Sequence, residues 1–363
     1  MLSTLSSYIP NSSRFIPTRI ANLLRSFSLS NREVSVATKI PTMGELFRVD
    51  LNRVAPEFIE GLINAEKVIK ITGREDLEIR TGSKNPNQFI IAKRDPDDPN
   101  KALFSVQVIL SHGLVTDLDA ILNGTHKPDG SIDSATLYTV STWDSPKARG
   151  KGGEFIVEVA ELIMRVMPNI QHIGTHSPLS GEDPNPEKTH FKGFADWVKR
   201  MPVEMLPAVN ALITPQVYPF TFSELQERLK AANSVHDIMH DKHIENALRQ
   251  LASLYATKDK IDSKGRFSAL DQVAAFHLRN GAMIWDINPW AHRDAAGADK
   301  SFRESFGFKI SYRYPRKNAK LVLNAGAYSS GKLARSAAID SLLGPHGHLT
   351  PRAIRHSKPV LIS

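Results

Sequence analysis

The chain has 363 residues, a mass of 40.3 kDa and a formal net charge of +8, which allows about two domains and a sizeable hydrophobic core. It contains no cysteine, so disulfides, thiolate metal sites, iron–sulfur clusters and a cysteine nucleophile are excluded. Apolar residues make up 41% of the chain but form no run long enough to span a bilayer, so no membrane function is indicated.

Residues 1–43 form a basic leader rich in serine and arginine. The first 32 residues contain four arginines and no acidic residue, which is typical of a mitochondrial transit peptide. Disordered basic arms have a similar composition, and that alternative stays open. We expect the mitochondrial matrix as the destination if the leader is a transit peptide, and the cytoplasm otherwise.

The first folded elements are predicted to be a helical segment and a hairpin. Residues 44–84 carry apolar side chains at helical spacing. Two strand-like runs, 89–92 and 103–110, flank a turn rich in Asp, Pro and Asn, which predicts a β-hairpin. Residues 117–122 are expected to form a short helix.

The central part of the chain predicts a parallel crossover. A β-rich run at 136–141 precedes a helical pattern at 154–167 and another strand at 170–175. A strand, loop, helix, strand unit of this kind normally places its two strands in parallel. The polar, proline-containing residues 181–192 are expected to be a surface insertion. Helices at 223–260 and 270–280 and late strands at 283–288 and 308–314 complete an α/β pattern.

A basic, glycine-rich loop joins the strand and the helix of this crossover. Its backbone N–H groups and the following helix N-terminus could hold a pyrophosphate, and glycine would let the backbone approach the phosphate oxygens closely. It fits neither a Walker loop nor a dinucleotide-binding pattern, and a basic surface turn is the alternative interpretation. The loop consists of Lys147, Ala148, Arg149, Gly150, Lys151, Gly152 and Gly153.

Two further residues are candidates for chemistry. Ser177 stands at the exit of a predicted strand and is followed by Pro178, at the place where crossover folds present reactive side chains. His277 lies near the end of an apolar helix, where a buried structural histidine is the common alternative. A metal site on a helix carrying His236, His240 and His243 is conceivable, but a solvated polar helix is favoured.

Taken together, the motifs resemble those of one enzyme family. The stretch FHLRNGAMIWDIN at 276–288, followed by Tyr312-Arg313-Tyr314, resembles the histidine signature of malonyl-CoA decarboxylases. THSPLS at 175–180 resembles that family's serine motif, and the basic loop falls at its coenzyme A loop. The similarity extends in order over most of residues 85–345, with 346–363 left as a C-terminal tail.

The resemblance implies a GNAT-like mixed sheet with flanking helices that converts malonyl-CoA to acetyl-CoA and CO2 without a metal or an organic cofactor, the CoA thioester being the substrate. By position, Ser177 and His277 correspond to the catalytic serine and histidine, and residues 147–153 to the site for the CoA phosphates. Asn280, Asn288 and Tyr312 are candidates for the acyl pocket. We assign His277 to proton delivery and Ser177 to binding the malonyl carboxylate or relaying the proton. These assignments require Ser177 and His277 to converge beside the basic loop.

Three other functions remain open. A GNAT-like acyltransferase, or a decarboxylase acting on another acyl-CoA or acyl-carrier substrate, would use the same loop, and so would a non-catalytic acyl-CoA-binding protein. Residues 289–300 differ from the family pattern and could border the pocket. The short helical segment before the catalytic part leaves a homo-oligomer open, and nucleic-acid binding is disfavoured because no recognition module is found.

Overall fold

The computed structural model describes residues 46–66, 69–126, 130–179, 193–201, 205–217, 221–261, 267–295, 297–316 and 318–349. The leader of residues 1–43, the insertion at 181–192 and the tail beyond residue 349 lie outside these ranges. No helix within them is both long and apolar enough to cross a membrane.

Nine strands form two sheets in the described chain. They are β1 (Leu46–Arg48), β2 (Gln88–Asp95), β3 (Asp98–Ser111), β4 (Ser134–Thr142), β5 (His172–Pro178), β6 (Asp259–Ile261), β7 (Phe267–Ala269), β8 (Met283–Asn288) and β9 (Lys309–Tyr314). The main sheet has seven strands in the order β1-β2-β3-β4-β5-β9-β8, and β6 pairs with β7. The predicted α/β class, a mixed sheet with flanking helices, is confirmed.

The helices pack on both faces of this sheet. They are α1 (Pro56–Ala65), α2 (Arg74–Arg80), α3 (Leu118–Leu122), α4 (Gly152–Val166), α5 (Phe194–Lys199), α6 (Leu206–Val217), α7 (Phe222–Ala231), α8 (Lys242–Thr257), α9 (Gln272–Arg279), α10 (Ala298–Ser305), α11 (Asn318–Ser329) and α12 (Ala337–Leu343). The first face of the sheet, which carries Leu137, Ile173 and Tyr312, forms the main core with α4, α8 and α9. The second face packs against α1 and α3 in two smaller clusters.

The start of the predicted helical segment is a strand. Leu46 pairs with Lys93 and Arg48 with Ile91, so β1 extends the sheet as an antiparallel edge strand. Both Leu46 and Phe47 are buried. In the described part of residues 44–84, only α1 and α2 are helical. A three-residue strand has too few residues to distinguish a period of 2 from one of 3.6, and the sheet edge decides its conformation.

The two parallel strands of the crossover separate partway along their length. β4 and β5 pair from Ser134 with His172 to Leu137 with Thr175 and no further, although both strands continue. Beyond this point the pairing of β3 with β4 is irregular, and Thr139 in β4 has a φ of +49°. Such a bulge bends its strand, and the result is a wedge between the carboxyl ends of β4 and β5.

Candidate active site

Ser177 lies at the carboxyl end of β5, beside the wedge. Side chains alternate along a strand, so Thr175 and Ser177 face the first side of the sheet and His176 faces the second. Ser177 pairs with Ile310 of β9, and the side chain of Ser177 is buried. The strand exit therefore presents the hydroxyl to the helices that cover the first face.

His277 lies in the last turn of α9, a helix with defined ends. Asp271 caps its start by accepting a hydrogen bond from the Ala274 N–H at 2.7 Å. At its end, Gly281 adopts a φ of +82°, and the Ala282 N–H bonds to the His277 carbonyl while the Gly281 N–H bonds to that of Leu278. This is a Schellman motif, so the sequence His-x-x-Asn-Gly fixes the position of the histidine relative to the helix end.

The side chains of Ser177 and His277 are within hydrogen-bond distance of each other, between β5 and α9. Ser177 Oγ lies 3.1 Å from His277 Nε2 and 3.3 Å from Thr175 Oγ1. On the other side of the imidazole, Tyr314 Oη lies 2.8 Å from His277 Nδ1. The Tyr312 ring stacks on the imidazole with centroids 4.3 Å apart. The first face thus holds a chain of polar groups, Tyr314–His277–Ser177–Thr175, all of them buried.

Burial decides the charge states of His277 and Tyr314. With no opposite charge nearby, desolvation lowers the pKa of His277 to about 3 and raises the pKa of Tyr314 well above its usual value. Both groups are therefore neutral at pH 7. One arrangement of protons gives each donor an acceptor: Tyr314 O–H donates to Nδ1, Nε2–H donates to Ser177 Oγ, and Ser177 O–H donates to Thr175 Oγ1. The imidazole then presents its N–H to the serine.

The basic loop forms a short 3₁₀ turn at Pro146–Ala148 that leads into α4. Gly150 has a φ of +74°, a conformation that other residues adopt with strain. The first N–H groups of α4, from Gly152 to Glu154, have no acceptor within the helix. Lys147, Arg149 and Lys151 are exposed around them. This combination of free N–H groups, positive helix dipole and cations favours an anion.

One loop cation already has acidic neighbours. The Lys147 ammonium contacts Asp97 and lies 3.6 Å from Asp95, both at the turn of the β2–β3 hairpin. These carboxylates raise the pKa of Lys147, chiefly through the hydrogen bond with Asp97. The ion pair is exposed and therefore weak, so a phosphate would compete with the hairpin for this lysine.

The loop and the histidine helix are in direct contact. A Cβ atom on Gly153 would lie 2.2 Å from Asn280 Oδ1 and 2.4 Å from its Nδ2, and one on Gly152 would lie 3.9 Å from the Phe276 ring. Phe276 and Asn280 flank His277 on one face of α9. The structure therefore brings Ser177, His277 and the loop together at the carboxyl ends of β4 and β5. Asn280 lies at the start of α4, beside the loop.

Asn288 does not join this group. Its Nδ2 lies 2.8 Å from Ser311 Oγ and 3.3 Å from His176 Nδ1, on the second face of the sheet and opposite Ser177. The cause is an irregularity in the pairing of β8 with β9 between Ile284 and Asp286. One extra residue in a strand reverses which face the following side chains occupy. Asn288 therefore does not face Ser177 and His277, and its assignment to the acyl pocket stays a prediction.

Tyr312 and Tyr314 have different positions in the site. The ring of Tyr312 supports the imidazole, but its hydroxyl is buried without a hydrogen-bond partner among the described residues. Tyr314, which belongs to the Tyr312-Arg313-Tyr314 motif but was not among the predicted site residues, contacts the imidazole nitrogen directly. The alternation of side chains along β9 could have predicted this contact, because Tyr312 and Tyr314 share the face of the strand that packs on α9. Thr175 was likewise detectable as the residue two before Ser177.

The segment that follows β8, which begins the predicted pocket border of residues 289–300, passes around the end of the sheet onto its second face. Asp119 of α3 accepts hydrogen bonds from the backbone N–H groups of Arg293, Asp294 and Ala295. The Arg293 guanidinium also pairs with Asp117 at 2.9 Å. The segment therefore borders the same end of the sheet as Ser177, but these contacts bind it to α3 on the opposite face.

The three histidines considered for a metal do not share a helix. His236 lies in a 3₁₀ turn with its Nε2 2.8 Å from Asp294, whereas His243 lies in the first turn of α8. No group of three or more His, Asp or Glu side chains in the described part of the chain is arranged to hold a metal ion. The helical placement of this motif is therefore wrong.

Comparison with known proteins identifies the family. Residues 44–352 match the family model described as malonyl-CoA decarboxylase C-terminal domain. Curated relatives include the mitochondrial malonyl-CoA decarboxylases of Rattus norvegicus, 24% identical over 268 residues, and of Anser anser anser, 22% identical over 269 residues. These alignments cover 71% of this chain but 51% and 50% of the relatives, so the chain spans about half the length of the curated relatives it matches.

Solved structures agree in fold. The malonyl-CoA decarboxylase of Cupriavidus metallidurans gives a TM-score of 0.63 at 23% identity, covering 82% of this chain and 67% of that one. The enzyme of Rhodopseudomonas palustris gives a TM-score of 0.63 at 24% identity, covering 82% and 65%. The resemblance that the serine and histidine motifs indicated is confirmed. Since the family model spans more than half of its residues, the chain belongs to the malonyl-CoA decarboxylase C-terminal domain family.

Proposed function

We propose that this protein decarboxylates malonyl-CoA to acetyl-CoA and CO2, using Ser177 and His277. The observation that carries the proposal is the buried contact of 3.1 Å between Ser177 Oγ and His277 Nε2, at the strand ends beside the basic loop. Family membership supports the same reaction, and the names of the curated relatives state it for those proteins.

In this proposal the loop of residues 147–153 binds the CoA phosphates through the N–H groups at the start of α4 and the surrounding cations. The pantetheine arm enters the wedge between β4 and β5. Beyond Leu137 and Thr175 these strands no longer pair with each other, so their inner edges offer backbone groups to the amides of the arm. This path ends at Ser177.

The chemical step breaks the bond between the α-carbon and the carboxylate. CO2 leaves, the electron pair delocalises onto the thioester oxygen, and the enolate then takes a proton on carbon to give the acetyl group. A well-placed donor to such an oxyanion is worth about 3–4 kcal/mol, and a positioned acid about 10²- to 10⁴-fold in rate. Ser177 Oγ and N–H groups on the inner edge of β4 are the proposed donors, and His277 the proposed acid.

The reaction consumes one proton, and the resting imidazole is neutral. A substrate carboxylate beside His277 raises the pKa of the imidazole, so we propose that substrate binding favours proton uptake there. When CO2 departs, the negative charge moves from the carboxylate to the enolate, and the burial that lowers the pKa of His277 favours transfer of the imidazolium proton to the enolate carbon. Tyr314 Oη holds Nδ1 and directs Nε2 toward the reacting carbon.

We propose that no resident metal or organic cofactor takes part. The thioester carbonyl of the substrate itself delocalises the charge that decarboxylation leaves. Metal addition therefore should not raise the turnover of protein that has been treated with a chelator, and an increase would contradict this part of the proposal.

The direct test is incubation of the purified protein with malonyl-CoA alone, with products identified by mass spectrometry. We expect acetyl-CoA, carrying one deuterium on the methyl group when the reaction runs in D2O. Unchanged malonyl-CoA that reacts only after an amine or carrier acceptor is added would favour an acyltransferase. Binding without any reaction would favour an acyl-CoA-binding protein. Methylmalonyl-CoA in the same assay measures how narrowly the acyl group is selected.

For localisation we propose the mitochondrial matrix. The support is the arginine-rich, acid-free composition of residues 1–32 and the word mitochondrial in the names of the rat and goose relatives. Fusion of the leader to a fluorescent protein tests this, and cytoplasmic fluorescence would contradict it.

A further inference from the structure

The end of α9 is held from two sides. On one side Gly281 packs on α11: a Cβ there would lie 2.4 Å from the Leu321 carbonyl oxygen, and Asn324 Nδ2 donates to the Gly281 carbonyl at 3.0 Å. On the other side the Asn280 amide lies against Gly153, in the first turn of α4. Its Nδ2 also donates to the Phe276 carbonyl at 2.9 Å, which orients the amide toward α4.

The second of these contacts joins two parts of the site that are distant in the chain. Gly153 belongs to the loop that is proposed to bind the CoA phosphates, whereas Asn280 is the C-cap of α9, three residues beyond the proposed proton donor. The reacting carbon of a CoA thioester lies at the far end of the pantetheine arm. A thioester bound at the loop must therefore bring that carbon to His277. The separation of these two points depends on how α9 rests on α4.

We infer that Asn280 is a positioning residue that sets the distance between the phosphate loop and His277, so that a nucleotide-bearing thioester reaches the imidazole in register. The inference rests on the proposed function. The Asn280 side-chain amide donates to the Phe276 carbonyl and bonds to neither the Ser177 hydroxyl nor the His277 imidazole, which Ser177 and Tyr314 hold independently. Its effect should therefore depend on whether the substrate is bound at the loop.

Truncated substrates separate positioning from simple stability. Malonyl-pantetheine has the same acyl group and arm but no nucleotide, so the loop does not fix its position. For Asn280→Ala we expect kcat with malonyl-CoA to fall about tenfold or more, since misplacement by about 1 Å can cost 10²-fold. We expect kcat with malonyl-pantetheine to change less than about twofold. Equal losses with both substrates would show a merely structural role and overturn the inference.

A double-mutant cycle tests the contact itself. In Gly153→Ala the new Cβ collides with the Asn280 amide, and we expect the same selective loss of kcat with malonyl-CoA. In the Gly153→Ala, Asn280→Ala double variant the amide is gone, so kcat should be no lower than in Asn280→Ala alone. Losses that multiply in the double variant would contradict the contact as the cause.

The control is Gln272→Ala, in the first turn of α9 and away from Gly153, which should behave as wild type with both substrates. Failure of the inference is distinct from failure of the proposed function. If wild-type protein decarboxylates both thioesters and Asn280→Ala affects them alike, only the positioning role falls. If wild-type protein decarboxylates neither, the proposed function falls and the inference with it.

Discussion

At the scale of single residues, the hydroxyl of Tyr314 is the contact that orients His277. Tyr314→Phe removes the partner of Nδ1 and leaves a buried imidazole nitrogen unpaired. We expect kcat with malonyl-CoA to fall about 10- to 10²-fold, within the range that positioned acid–base groups contribute, and KM to change little because no phosphate contact is lost. Steady-state kinetics measure both.

Tyr312→Phe is the matched comparison in the same strand. Its hydroxyl has no hydrogen-bond partner among the described residues, and the ring that stacks on His277 is kept. We expect kcat within about threefold of wild type. A loss in Tyr312→Phe as large as that in Tyr314→Phe would contradict the assignment of the two side chains.

The order of the motifs along the sequence was sufficient to predict which residues lie together in the site. It was not sufficient where an irregular strand decides which face of the sheet a side chain occupies. The resemblance placed Ser177 and His277 in the site, and the structure brings their side chains together. It also placed Asn288 there, but the irregularity in β8 turns that side chain to the second face. A bulge leaves no distinct mark in a six-residue strand, so the side of the sheet that Asn288 faces could not be derived from alternation alone.

At the scale of elements, the end of α9 depends on Gly281. Its φ of +82° costs other residues about 1–2 kcal/mol, and a Cβ would also collide with the Leu321 carbonyl. We expect Gly281→Ala to lower the free energy of unfolding by more than that amount and to reduce kcat, because α9 carries His277. Urea denaturation and steady-state kinetics on the same preparation test both effects.

Gly326→Ala in α11 is the control for this substitution. A Cβ at Gly326 would meet no atom within 4 Å, and alanine is the better helix former by about 0.5–1 kcal/mol. We expect unchanged or slightly higher stability and unchanged kcat. A stable, fully active Gly281→Ala protein would show that the helix end is not fixed in the way described.

Elements with long, regular patterns were predictable, and the shortest were not. The crossover from β4 through α4 to β5 followed from a strand run, a glycine-rich loop and a helical period, and its strands are parallel as expected. β1 was mistaken for helix because three residues carry too little periodicity. The wedge depends on the bulge at Thr139, for which the sequence ATLYTVS offers no distinct signal.

At the scale of the whole molecule, buried histidines make the fold sensitive to acid. Burial lowers the pKa of both His277 and His176 to about 3, whereas an unfolded histidine titrates near 6.5. The unfolded chain therefore binds more protons between about pH 6.5 and 3, so stability falls as the pH falls through this range. Each group should cost about 2 kcal/mol between pH 7 and pH 5.

Urea unfolding at pH 7 and pH 5 measures this loss. His176→Gln removes one of these titrations and leaves the side chains of Ser177 and His277 in place, so we expect the loss of stability between pH 7 and pH 5 to shrink by about 2 kcal/mol. His240→Gln, at an exposed position, should keep the wild-type dependence. Equal stability of the wild-type protein at the two pH values would contradict the neutral, buried state of these histidines.

The central claim is that Ser177 and His277 act together beside the basic loop of residues 147–153. It is tested most directly by comparing the rate of acetyl-CoA formation from saturating malonyl-CoA in wild type and His277→Ala, with CoA affinity measured by calorimetry on the same samples. The account predicts that His277→Ala loses at least about 10²-fold in kcat while its affinity for CoA stays as in wild type. Undiminished decarboxylation by His277→Ala would contradict it.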